Sequence, residues 1–257
     1  MPVPPEIASL VAESGNNFHA KVARWMQTDG WRVSVSPYYM DQTQNKAREI
    51  DLVAERLWPV RERGDVVGDV AVRLFVECKF IPSYSIFWFT DKDMEAAQAL
   101  VCSSGLFREN NVYTNGHHYL KHSPRVAKLF ASSGGRSSDN DPYYRALNQV
   151  LNAMVSMRGG RVSMGKRPDA PLALLEFPVV VCSSFSQMYS VDFFADSEPQ
   201  RIMDNFQLEI QYAYLDRAGK QQDEHLLLDF VEFDQLKTFV DQIDKDANLA
   251  ASFASSD

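Results

Sequence analysis

Cysteine is scarce. Cys78, Cys102 and Cys182 are the only three in 257 residues, they lie far apart, and no two form a CxxC pair. Neither a disulfide framework nor a cysteine zinc site finds support in that count and spacing. A reducing, cytoplasmic compartment is expected. Long apolar runs are missing as well. The longest candidate, Pro178 to Cys182, runs into Ser183 and Ser184, far short of the ~18–20 residues of a membrane span, so no membrane partner is expected. The first ten residues, MPVPPEIASL, lack a basic stretch followed by an apolar one, so no signal peptide is expected. Gly134-Gly135-Arg136 and Arg158-Gly159-Gly160-Arg161 carry no following GKS or GKT, and Ser183, Ser184 and Ser186 have no GxSxG context, which removes a P-loop and a nucleophile elbow.

What is present is ordinary for a globular chain: 45% hydrophobic and 23% charged residues, at a length that suits one or two domains. The net charge of −8 speaks against nucleic acid as a partner until its distribution is read. Residues 104–168 hold ten Lys/Arg against three acids, a net +7. Residues 169–257 hold five basic and seventeen acidic residues, a net −12, and the first 103 carry −3. A basic middle between acidic flanks suits a polyanion groove on an acidic protein. It equally suits a solvated loop region with few acids.

Apolar spacing predicts a helix over Glu6–Thr28, interrupted at Gly15 and closed by Asp29-Gly30. Alternation predicts a strand over Trp31–Val35, a polar loop over Met40–Lys46, a second strand over Arg48–Glu55, a turn over Arg61–Asp69 and a third strand over Val70–Phe80. A short helical pattern lies near Asp91–Val101, and a Gly/Ser-rich break at Ser132–Asn140. Asp141-Pro142 opens a helix through Met157. Leu172–Cys182, Phe206–Leu215 and Leu226–Phe233 read as strands, Asp234–Ile243 as a last helix, and 251–257 as a flexible tail. The expectation is one α/β domain over residues 1–250, a central mixed sheet flanked by helices, with an inserted segment at about 82–140 and extra C-terminal strands.

The chemistry concentrates on two of these strands. In Leu74-Phe75-Val76-Glu77-Cys78-Lys79-Phe80, two charges interrupt an apolar strand, and alternation points Glu77 and Lys79 to one face. A solvent-facing Glu–Lys pair is the plain alternative. If strands two and three form a hairpin, Asp51 converges on Glu77. Two carboxylates and the backbone carbonyl of Cys78 then make an oxygen-rich site for Mg²⁺ or Mn²⁺. Lys79 stands beside it to orient or deprotonate a water and to stabilise charge on a phosphate.

The order helix, strand, strand with Asp, strand with Glu-x-Lys resembles the PD-(D/E)xK superfamily, the restriction-endonuclease-like nucleases. The local likeness is to Holliday-junction resolvase and type IV restriction catalytic domains, carried by Glu13–Phe18, Gly30-Trp31, Arg48–Ala54 and Val76–Lys79. The resemblance covers roughly residues 13–80 plus a later helix and strand. It implies an α-β-β-β-α-β core, metal ligation by Asp51 and Glu77, and service of the attacking water by Lys79. A Glu often follows the Phe of the first helix in such proteins, and here that position is His19. Glu13 is then either the first-helix acid of the metal site or an exposed first-turn acid. A Gln on the helix after the Lys-bearing strand corresponds to Gln149, which otherwise belongs to an ordinary polar helix face.

The reading that follows is a Mg²⁺-dependent endonuclease hydrolysing DNA phosphodiester bonds, with RNA as substrate and a homodimer left open. The alternative is a catalytically inactive nuclease fold that binds nucleic acid or protein. Arg108, Lys121, Arg125, Arg158, Arg161, Lys166 and Arg167 are the expected nucleic-acid contacts. A rival site, the histidines of Gly116–His122, has no acidic array near it in sequence and reads as structural. The aromatics Tyr84, Phe87, Trp88 and Phe89 read as packing rather than as a base-stacking platform.

Overall fold

The structure is a computed structural model. It describes residues 4–13, 15–42, 44–80, 83–104, 114–121, 123–133, 141–158, 171–216 and 218–254. Helices α1 (Pro5–Glu13) and α2 (Gly15–Thr28) come first. Gly30, at φ 94°, ends α2 in the left-handed conformation that a side chain resists. Strand β1 (Arg32–Val35) follows, then a small hairpin of β2 (Tyr38–Asp41) and β3 (Lys46–Glu49), then β4 (Leu52–Glu62) and β5 (Asp65–Lys79). The polar segment expected as a loop at Met40–Lys46 is the turn of this hairpin, with Met40, Asp41 and Lys46 in its strands, and the expected second strand is broken at Ile50-Asp51. The expected turn over Arg61–Asp69 narrows to Arg63-Gly64, with φ values of 50° and 96°. Two consecutive left-handed residues make the tight turn that matches strand twist, so the charged flanks extend both strands.

The remaining elements are β6 (Ser85–Asp91), α3 (Met94–Cys102), α4 (His118–Lys121), β7 (Arg125–Ser132), α5 (Pro142–Met157), β8 (Ala173–Cys182), β9 (Met188–Asp192), β10 (Gln200–Arg201), β11 (Phe206–Leu215), β12 (Gln221–Glu232) and α6 (Leu236–Ala254). Asp141 caps α5 by accepting from the amides of Tyr143 at 2.8 Å and Tyr144 at 3.2 Å. The last helix runs well past Ile243, to Ala254 and so into the segment expected as a tail, because Ala247 and Ala250 are fully buried and Phe253 packs on the core. Among the described residues, no helix is long and apolar enough to cross a membrane.

Among the described residues, ten strands form one mixed sheet in the order β1-β4-β5-β8-β12-β11-β7-β6-β9-β10. The chain is therefore an α/β protein with a large central sheet flanked by helices. The first pairings are antiparallel (β1–β4, β4–β5) and then parallel (β5–β8, β8–β12). Strands β6 and β7, from the segment expected as an insertion, lie in this same sheet. One core packs on the face covered by α2 and α6, with Val72, Leu74, Val76, Phe239 and Ile243. The other packs under α5, with Phe75, Phe87, Val150, Leu151 and Phe230. Phe87 is fully buried and sits with its ring edge-on to Tyr143, Phe206 and Phe230.

Two local features position the chemistry. Strand β12 joins β8 only from Val179 onward, at Asp229↔Val179. The residue before is Pro178, which has no N–H to give either neighbour. Below that point β8 and β12 part, and a cavity of about 430 Å³ lies between Leu175, Phe177, Leu226 and Leu227. At the other end of β5, the hairpin register brings Leu52 opposite Val76, which sets Asp51 one step beyond, beside Glu77.

Candidate functional site

Asp51 is pinned at the junction of β3 and β4. Its carbonyl accepts from the Ser36 amide at 2.8 Å and contacts His19 Nε2 at 2.8 Å. Its amide donates to Glu77 Oε1 at 3.3 Å, and its Oδ2 accepts from the Cys78 amide at 2.7 Å. This is why the second strand breaks at Asp51: its backbone bonds go to α2, to the end of β1 and to the Glu77 side chain. Lys79 Nζ donates to Glu77 Oε2 at 2.8 Å. Asp51, Glu77 and Lys79 are thus brought together at the end of β5. Among the described residues, Asp51 Oδ1 has no hydrogen-bond partner.

Glu77 is fully buried, and the Lys79 side chain is 19% exposed. Burial pushes the Glu77 carboxyl up to about 7; Lys79 pulls it back down, and the Asp51 charge adds to the rise. The Lys79 ammonium is held above its ordinary range by Glu77, against the effect of burial. Burial also raises the Cys78 thiol well above its usual value. Cys78 therefore stays a neutral thiol packed on the α6-side core, and only its carbonyl suits the metal set.

The donor chemistry fits a hard divalent cation. All the side-chain donors are carboxylate oxygens, and each oxygen of Glu77 has a second lone pair beyond the one it now uses. Mg²⁺ needs only one or two carboxylates because it keeps several waters. Sulfur and imidazole ligands, which select other metals, are not aimed here. His19 reaches the site through a backbone carbonyl, so it acts on the position of Asp51 rather than on its charge. The sequence placed His19 at the position after Phe18; its partner across the site became legible only in three dimensions.

Other expected residues distribute differently. The Glu13 side chain lies outside the described residues. Gln149 is half-buried on α5, and its carbonyl accepts from the Tyr39 hydroxyl at 3.3 Å. Tyr39 belongs to the same buried layer as Ile50 and Val53. Burial raises its hydroxyl above the ordinary range, with a contribution from the Asp41 and Glu77 charges. Sequence reading missed Tyr39, whose only signal was an aromatic in a polar stretch.

Of the expected nucleic-acid residues, Arg108, Arg161, Lys166 and Arg167 lie outside the described residues. The other three are not brought to one surface. Lys121 is exposed on α4, beside α6, on the face opposite α5. Arg125 pairs with Asp192 and bonds the Phe89 carbonyl. It sits on β7, four strands from β5, about 19 Å at the usual strand spacing. Arg158, at the end of α5, donates to Glu224 at 2.8 Å and to the Tyr214 hydroxyl at 3.3 Å.

Compared with family models, curated proteins and solved structures, the chain has no match.

Proposed function

We propose that this protein is a metal-dependent nuclease of the PD-(D/E)xK type, hydrolysing phosphodiester bonds, with DNA as the substrate. The observation that carries the reading is the convergence of Asp51, Glu77 and Lys79, held by the Cys78 amide–Asp51 contact of 2.7 Å and the Lys79–Glu77 contact of 2.8 Å. Two further features support it. With β2, β3, β6, α3, α4 and β7 set aside, the chain order reduces to α2-β1-β4-β5-α5-β8, which is compatible with the α-β-β-β-α-β order that the sequence resemblance implies. The Glu and Lys sit at the end of a strand whose other face is core from Val70 to Cys78, so their shared direction is enforced rather than incidental.

In this reading Asp51 and Glu77 hold Mg²⁺ or Mn²⁺, with the Cys78 carbonyl as a third oxygen. The ion, when bound, polarises the scissile phosphate and makes water a stronger acid. Lys79 places its ammonium beside the reacting phosphorus, where it orients the attacking water and offsets the negative charge that grows in the transition state. His19 and Ser36 hold the Asp51 carbonyl, so the carboxylate keeps its direction as the ion enters. Glu77 would hold the ion through its remaining lone pairs, and Lys79 would stay beside it, its Nζ bonded to Glu77 Oε2.

The Lys79–Glu77 pair also favours a second reading, a catalytically silent nuclease fold. The pair satisfies both partners without an ion, as a retired site would. One experiment separates the two. Supercoiled, linear and single-stranded DNA are incubated with the full chain and Mg²⁺ or Mn²⁺, beside Asp51→Ala. Metal-dependent cleavage that Asp51→Ala abolishes is the expected result. Binding of the same DNA with no cleavage under either metal moves the assignment to the silent fold.

A further inference from the structure

On the α6 face of the sheet, away from Asp51, the structure buries a second group of ionisable side chains. His117, His118, Asp229 and Asp246 are 3%, 2%, 4% and 1% exposed. They lie among Tyr119, Phe177 and Phe239, whose rings approach the histidines. The chain brings them from far apart: His118 opens α4 with His117 just before it, Asp229 lies on β12 and Asp246 on α6. The sequence around the histidines offers no acid; the fold supplies two. The rings of His117 and His118 stack at 4.9 Å with planes 24° apart.

One nitrogen of each ring faces Asp246. His117 Nε2 lies 3.5 Å from Asp246 Oδ2, and His118 Nδ1 contacts the same oxygen. Ligand atoms of all three residues lie within 4.8 Å of one another. We propose that His117, His118 and Asp246 form a buried site for a divalent transition metal of the zinc class. Two imidazoles and a carboxylate are donors that Zn²⁺ accepts and Mg²⁺ does not favour. With bonds of about 2.0–2.1 Å, tetrahedral ligands stand roughly 3.3 Å apart, close to the 3.5 Å edge between His117 Nε2 and Asp246 Oδ2; the His118 Nδ1–Asp246 Oδ2 hydrogen bond is shorter than that edge and has to open for an ion to enter.

The surroundings complete the arrangement. His118 Nε2 meets Asp229 Oδ2 at 3.2 Å, and Gln207 holds the other Asp229 oxygen at 3.0 Å. A carboxylate behind a ligating imidazole fixes its tautomer and raises its basicity. The His118 amide holds Asp246 Oδ1 at 3.1 Å. Beside His118 and Asp246 lies a cavity of about 210 Å³ that opens past Lys121, Asp241 and Lys245. It is roomy enough to supply a water as the fourth ligand. Proton balance is simple. His118 gives up its Nδ1 proton to solvent and keeps the Nε2 proton on Asp229. His117 carries its proton on Nδ1, giving up the long 3.2 Å bond from the Tyr119 amide. The ion then ties α4 to α6, which makes its role structural and separate from Asp51 and Glu77.

The test uses the full chain, stripped with a chelator. Zn²⁺ uptake is measured by competition with a chromogenic chelator and by metal analysis, and Co²⁺ is used as a spectroscopic probe. The wild type and Asp51→Ala are expected to take one Zn²⁺ per chain and to give the visible bands of four-coordinate Co²⁺. His117→Gln, which leaves the His118–Asp229–Asp246 chain in place, and Asp246→Asn are expected to lose both. Asp229→Asn should weaken Zn²⁺ by about 10–100-fold. If a variant does not fold, the wild type alone decides: Zn²⁺ must raise its thermal midpoint, and X-ray absorption must show two imidazoles on the ion. No uptake by the wild type overturns the proposal, as does equal uptake by folded His117→Gln. Loss of Zn²⁺ in Asp51→Ala also overturns it, by placing the ion at the other site.

Discussion

Asp51 and Glu77 are locked to each other through the backbone. The Asp51 amide donates to Glu77 Oε1 at 3.3 Å, while Asp51 Oδ2 takes the amide of Cys78, the residue after Glu77, at 2.7 Å. Each carboxylate is therefore aimed by the strand that carries the other. A single substitution disturbs both. Asp51→Asn should keep the Cys78 contact through its amide oxygen and so preserve the fold, yet cut Mn²⁺ affinity and abolish cleavage. Isothermal titration with Mn²⁺ beside a plasmid-cleavage assay checks this; unchanged Mn²⁺ binding would remove Asp51 from the ligand set.

Lys79 acts on a different step. Its proposed work is done in the transition state, so Lys79→Met should lower kcat by about 10²–10⁴-fold. KM and metal affinity should stay near the parent values. Steady-state kinetics on a short duplex, with Mn²⁺ binding measured alongside, decides it. A rise in KM with kcat unchanged would recast Lys79 as a ground-state phosphate contact.

The basic middle of the chain carries a separate expectation. If Lys166 and Arg167 contact phosphates, Lys166→Glu combined with Arg167→Glu should weaken DNA binding similarly for every sequence. The log–log dependence on salt should lose a slope of about 0.9 for each contact removed. Fluorescence anisotropy across a salt series measures this. Equal affinity in parent and variant would return these residues to solvent.

A core prediction concerns charge inside the sheet. Arg73, with a side chain 3% exposed, bonds Glu55 at 2.8 Å and Glu176 at 3.0 Å on its two neighbouring strands. Burial already raises the Glu176 carboxyl, and Arg73 opposes that rise. Arg73→Met should leave two buried carboxylates facing each other and cost about 3–5 kcal/mol. Adding Glu55→Leu and Glu176→Leu should recover most of that loss. Urea unfolding of the three proteins provides the comparison.

Stability should also depend on pH through Lys92. Burial lowers its ammonium from 10.5 to about 8, against the Asp229 and Glu209 charges, while Nζ donates to the Tyr119 carbonyl at 2.8 Å. The folded state thus binds fewer protons than the unfolded state between these values. The cost of burying the ammonium is present below pH 8 and relieved as pH rises toward 10.5. Lys92→Met should remove that gain, on the order of 1–2 kcal/mol after solvent screening. Urea midpoints of both proteins at pH 7.5 and pH 10 test it. Parallel shifts in the two would show that Lys92 does not titrate in that window.

Sequence and structure divide the explanation unevenly. Local rules were enough where a segment decides its own shape. Asp141-Pro142 fixed the start of α5, Gly30 the end of α2, and two charges in an apolar strand singled out Glu77 and Lys79. Wherever distant strands choose the outcome, the sequence alone was silent. Alternation read Arg48–Glu55 as one strand, because no local signal shows the Asp51 backbone turning to Ser36, His19 and Glu77. The charged residues 61–69 read as a turn throughout, because only the pairing of the strands on either side of Arg63-Gly64 keeps their backbone extended. The last helix read as ending at Ile243 and residues 251–257 as a tail, because small alanines gain nothing until a sheet lies beneath them. Asp229 and Asp246 had no reason to be linked to His117 and His118. A buried ionisable group is stable only beside its partner, and across 128 residues tertiary packing alone determines which partner it meets.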